Sequence, residues 1–170
     1  MKHTCATLFL ALALAAPALA DEICPMERAI YTEVDQGYGL HFFAPTNRDM
    51  ANTALRFFVV RPGDDRNLSG TISGNLGVSR DTGVVRRDCP SPEDKAPGDV
   101  TEAEWTACTY WTGVVYALVD GGAEMLPFGD APAPPAILLT DFGRQIRYSG
   151  LLDGPADTPW DVFTLNGCRW

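Results

Sequence analysis

The chain has 170 residues, with 22 acidic side chains against 13 basic ones, a formal net charge of −9 and a hydrophobic content of 46%. That length suits one domain able to bury its own core. The acidic balance argues against nucleic acid or an anionic lipid surface as partner, because both would be repelled at long range, and leaves solubility or attraction of a basic protein as its readings.

The N-terminus, MKHTCATLFLALALAAPALA, places the positive Lys2 before an apolar run from Ala6 to Ala15, with the small residues Ala18 and Ala20 ahead of Asp21. This is the pattern of a cleaved secretory signal peptide over 1–20. The run is shorter than the roughly 20 residues that a bilayer-spanning helix needs. Neither Cys5 nor Cys24 directly follows the small-residue site, where a lipid anchor would require a cysteine. The expectation is a single domain over 21–170, periplasmic or extracellular, without membrane insertion. Loss of Lys2 takes the basic count from 13 to 12 and the net charge from −9 to −10.

Four cysteines follow the leader: Cys24, Cys89, Cys108 and Cys168. In an exported chain an even number reads as disulfides, with three connectivities open. No pair has CxxC or zinc-ribbon spacing, which argues against thiol redox chemistry and a metal centre. The nested pairing Cys24–Cys168 with Cys89–Cys108 would clasp the two ends and staple a Pro-rich excursion. On the chain-entropy model such bridges add roughly 3 kcal/mol for the short loop and nearer 5 for the long one.

Short β-like segments separated by turn residues dominate the rest. AIYTEV and YGLHFF flank Asp35-Gln36-Gly37 as a hairpin, with Leu40 and Phe42 on one side and His41 and Phe43 on the other. TALRFFVV is apolar on both sides and ends at a Pro-Gly turn, which predicts a central strand. TISGNLGVSRDTGVV alternates Ile72, Gly74, Leu76 and Val78 on one side before turning at Asp81-Thr82-Gly83, its glycines suggesting bulges. Residues 88–104 carry six acids against Lys95 and four Pro or Gly, a surface loop; Thr101 and Glu104 have capping-box spacing for a short helical turn near 101–107. CTYWTGVVYALVDGG, Cys108 to Gly122, puts Trp111, Gly113 and Val115 on one side and Tyr110, Tyr116 and Leu118 on the other. Both sides are mainly apolar, so Trp111 and Tyr116 are both expected in the core. The competing reading makes Trp111 a candidate ligand face, with Gly113 leaving room beside the ring. FGDAPAPPA is an extended connector. ILLT, RQIRYS and WDVFTLNGC read as three further strands, the first two joined by Asp141-Phe142-Gly143. The whole predicts an all-β fold, an antiparallel sandwich or barrel of about eight to ten short strands.

Candidate chemistry is sparse. His41 is the one histidine beyond the leader, and no G-x-S-x-G elbow accompanies it. DFG at 141–143 lacks every other element of the kinase pattern and reads as a turn. DDRN at 64–67 and DGG at 120–122 lack the alternating acids of a calcium loop. Neither a cofactor nor a metal site is indicated. The expectation is an exported, non-catalytic β-domain that binds, adapts or inhibits in the cell envelope, with a basic envelope protein as its candidate partner. The alternatives are a small exported hydrolase of envelope glycans or peptides, which would need paired carboxylates or a working His41, and a barrel carrier of a small ligand, which would need an interior cavity.

Overall fold

The structure is a computed structural model that describes residues 23–77, 79–90, 97–152 and 157–169. The leader over 1–20, Val78 and the middle of the acidic excursion therefore lie outside the described residues. Nine strands form one sheet: β1 (Ala29–Thr32), β2 (Gly39–Phe43), β3 (Thr53–Val60), β4 (Leu68–Ser73), β5 (Thr82–Arg86), β6 (Thr109–Val119), β7 (Gly122–Glu124), β8 (Ala136–Leu139) and β9 (Val162–Cys168). The spatial order is β5-β4-β3-β2-β1-β9-β8-β6-β7, and β5 also pairs with β6. Eight strands thus close into an antiparallel barrel, and β7 is an extra strand beside the far half of β6, pairing Leu118 with Ala123. Of the two architectures the sequence allows, the molecule adopts the barrel.

Closure depends on two pairings. The first and last strands meet, with Tyr31 opposite Leu165, and β5 meets β6, with Gly83 opposite Gly113. Both ladders slip by a bulge, between Ile30 and Tyr31 and between Val85 and Arg86, the device that bends a sheet towards closure. Period-two alternation then decides the interior. Tyr31, Leu40, Phe42, Leu55, Phe57, Ile72, Val85, Trp111, Val115, Ile137, Leu139 and Phe163 are buried inside, while His41, Phe43, Phe58 and Tyr116 lie half-buried on the outer wall. Gly70 on β4 leaves the space that the ring of Phe57 fills; a Cβ there would overlap it.

Two helices depart from the sheet. The first, α1 (Glu102–Cys108), starts at a complete capping box between Thr101 and Glu104, as the spacing predicts. The second, α2 (Phe142–Tyr148), falls where RQIRYS reads as a strand, and this corrects the sequence expectation. Phe142 and Ile146 are four residues apart and both buried while Arg144 between them is exposed, so one helical face serves where alternation would have turned Arg144 to the same side as both. Phe142 meets Trp111 and Phe163 edge-on, with centroids 5.7 and 5.6 Å away, and so closes one end of the barrel. Met26 and Leu126 are buried too, and the Tyr31 hydroxyl, beside Met26, donates to the Pro134 carbonyl at 2.9 Å.

Two further expectations change. The alternation from Ile72 to Val78 stops at Ser73, and Leu76 is 93% exposed in a turn at a left-handed φ of 53°. Tyr116 is not core: it faces outward, half-buried, with the Arg80 guanidinium 6.0 Å from its ring. In a closed barrel the outer side of a strand can be apolar without being buried against a second layer, which is why the two-sided pattern of β6 misleads.

Candidate functional site

The residues singled out in the sequence fall in three different places. Cys24 bonds Cys168 and Cys89 bonds Cys108, the nested pairing. The first bridge lies beside the β1–β9 seam; the second ties the excursion to the end of α1, where Arg87 N donates to the Cys108 carbonyl at 3.0 Å. Both make an oxidising, exported location consistent with the chain.

Trp111 has no exposed surface. Its indole occupies an interior slot made by the two opposed glycines: a Cβ on Gly83 would sit 2.5 Å from Cζ3, and one on Gly113 would sit 2.7 Å from Cζ2. Nε1 donates to the Thr140 carbonyl at 2.9 Å. Gly113 does leave room, as the sequence suggests, but the indole itself fills it, so the Trp111–Gly113 face is interior wall and not ligand platform.

His41 stands on the outer wall opposite Ile30 and Phe58. Burial, and secondarily the charge of Arg169, hold its pKa below the ordinary imidazole value. Among the described residues no hydrogen bond connects it to a serine hydroxyl or a carboxylate, and no cluster of His, Cys, Asp or Glu could hold a metal ion. Asp64 of the DDRN turn accepts from Arg66 N at 2.9 Å and faces Arg61 and Arg87, so its oxygens already meet cationic partners.

With the interior filled by Trp111, Tyr31, Phe42, Phe57, Phe142 and Phe163, the hollows are on the surface. One, about 460 Å³, lies beside α2 and is lined by Gln36, Gly143, Arg144, Arg147, Thr158, Pro159, Trp160 and Asp161. Asp161 shapes it. Its carboxylate accepts from Gly143 N at 2.7 Å and Asp141 N at 2.9 Å, holding the strand-entry segment against the first turn of α2. Asp141 takes a left-handed φ of 62° there, and a Cβ on Gly143 would run into the Pro159 carbonyl. Gln145 fixes the helix to β6 by exchanging two 3.0 Å bonds with the Thr112 backbone. Pressed close by this packing, the segment turns Trp160 outward, 65% exposed. Arg144 is engaged by the Asp141 carboxylate, and Arg147 lies 5.7 Å from the Tyr148 ring.

Sequence reasoning missed Trp160 by reading it as the first residue of a strand, whereas β9 begins at Val162. The usable signal was Pro159 before it, since proline donates no ladder hydrogen bond and marks a strand boundary. The arrangement offers an indole face and guanidinium edges and, among the described residues, no nucleophile–base pair.

Fold and surface together define a closed, filled eight-stranded antiparallel barrel with open hollows on its outer wall. No protein-family model, no curated protein and no solved structure matches this chain.

Proposed function

We propose that the protein is an exported, non-catalytic β-barrel domain that works by binding at its outer surface, as an adaptor or inhibitor-like protein of the cell envelope. The observation that carries this reading is the exposed Trp160 at a roomy surface hollow of a barrel whose interior is already occupied by side chains. A solid interior directs any partner to the outside. Tryptophan and arginine are the residues that most often dominate binding energy at protein interfaces.

The acidic excess of the chain favours a basic protein as partner by long-range attraction. The leader and the two disulfides support a periplasmic or extracellular setting.

The test compares the wild-type protein with Trp160→Ala in affinity capture from envelope extract at low and high salt. A basic protein retained by the wild type should bind the variant at least about thirtyfold more weakly, the loss of a hot spot of roughly 2 kcal/mol. High salt should weaken the wild-type complex as well. Equal retention by both proteins, with both folded by circular dichroism, refutes the Trp160 surface.

A further inference from the structure

The seam where the chain ends meet carries a second, independent feature. Arg28 closes the 3-10 turn Met26–Arg28 just before β1, and Arg169 follows β9. Arg169 N donates to the Arg28 carbonyl at 2.9 Å, so the two residues are backbone neighbours across the closing ladder. Ala29 is buried, and Arg28 at the end of the 3-10 turn before it is exposed. The Arg169 side chain crosses the outer wall to β2, where its Cζ lies 3.7 Å from the centroid of the Phe43 ring. Its Nη2 donates to the carbonyls of Phe42 and Glu27. Arg28, Arg169, Phe43, Ala44 and Glu27 line an open hollow of about 380 Å³.

The charges in this hollow do not balance. Among the described residues neither Arg28 nor Arg169 has a carboxylate within ion-pair distance, a lack they share with several other arginines of the surface. Glu27 is the sole acid in the lining, so guanidinium charge exceeds carboxylate charge there. Arg169 Nε is buried and has no hydrogen-bond partner. Burial first, and then the charge of Arg28, depress the pKa of Arg169; it remains a cation at neutral pH. Arg169 is half-buried and Arg28 is exposed beside it; an anion between two like charges stabilises both.

We propose that Arg28 and Arg169, with the Phe43 ring as floor, form a binding site for an oxyanion-bearing ligand, a carboxylate or a phosphate. Guanidinium edges match the geometry of such groups and form charge-assisted hydrogen bonds with them. Phe43 also lines a neighbouring hollow of about 360 Å³ with Phe58, Arg56 and Thr71, so an apolar body attached to the anion has a place to lie. The site is separate from the Trp160 surface and does not rest on it.

Isothermal titration of the purified, disulfide-bonded protein tests the site with two probes at constant ionic strength, inorganic phosphate and benzoate. The decisive variant is Arg28→Gln, whose side chain makes no hydrogen bond or ion pair with the described residues. Arg66→Gln, on the exposed β3–β4 turn away from the hollow, removes the same charge elsewhere. Saturable binding of either probe to the wild type, retained in Arg66→Gln and about tenfold weaker in Arg28→Gln, supports the site. Preference for benzoate assigns an organic acid that uses the Phe58 hollow, and preference for phosphate a bare oxyanion or phosphate ester. Absence of saturable binding of both probes overturns the proposal, as does equal weakening in the two variants, which would mean net charge alone. Trp160→Ala should bind the probe as the wild type does, so the two readings fail separately.

Discussion

Replacing Trp111 by alanine is the most direct test of the barrel as described. The indole is wholly buried between Gly83 and Gly113, edge-on to Phe142, and its Nε1 is the donor to the Thr140 carbonyl. Removing a buried aromatic side chain costs about 3–5 kcal/mol in lost contacts and residual cavity. Leaving a buried carbonyl without its donor costs about 1–3 kcal/mol more. The expected loss, about 4–8 kcal/mol, is a large share of the roughly 5–15 kcal/mol that holds a domain folded. With a urea slope of about 2 kcal/mol/M, the unfolding midpoint should fall by about 2–4 M. The assay is urea unfolding of the oxidised protein followed by circular dichroism. Tyr116→Ala serves as the internal contrast: Tyr116 is on the same strand but on the outer wall and half-buried, and its loss should cost only about 1–2 kcal/mol. A midpoint drop for Trp111→Ala no larger than that for Tyr116→Ala would refute the interior slot and return Trp111 to the surface.

Asp81 is buried with one carboxylate oxygen unpartnered, and burial raises its pKa. A carboxyl whose pKa is higher folded than unfolded favours the fold while protonated, below the unfolded value near 3.9, and that contribution is lost as pH rises through the folded value. Asp81→Asn should therefore raise the urea midpoint at neutral pH, with the gain shrinking towards acid; parallel curves for the two proteins from about pH 3 to pH 8 would contradict it. Export with removal of residues 1–20 should leave a chain whose N-terminal sequencing reads from Asp21, and a retained leader would oppose the proposed envelope setting.

Much of the barrel wall is legible in the sequence because period-two alternation is a local signal. Leu40 and Phe42 against His41 and Phe43 is readable from YGLHFF, and β2 buries the first pair. Closure is not local. It rests on pairing Tyr31 with Leu165 and Gly83 with Gly113, and on bulges at Ile30/Tyr31 and Val85/Arg86, none of which has a composition signature. The helix α2 escaped notice because seven residues give two turns of pattern, and its start is fixed from a distance by the Asp161 carboxylate. Trp160 and the Arg28–Arg169 pair were hidden for a related reason. The first is exposed by how its neighbours pack, and the second joins residues from the two ends of the domain. The nested disulfide pairing, in contrast, is suggested by cysteines placed near the ends and around one excursion, one of three connectivities the sequence leaves open, and it is the one present.

The clasp at Cys24–Cys168 has a mechanical consequence. The strands it adjoins, β1 and β9, are antiparallel, and their outer ends meet on the same side of the barrel, with Ala29 opposite Cys168. A force pulling the chain ends apart in the oxidised protein runs from Cys24 to Cys168 through the sulfur–sulfur bond, and the 143 residues between them carry no load. Once that bond is reduced, the same pull reaches the β1–β9 ladder end-on and opens it one residue pair at a time, like a zip, because its hydrogen bonds lie along the pulling direction. A single covalent link thus decides whether the barrel is shielded from tension or peeled open along its seam.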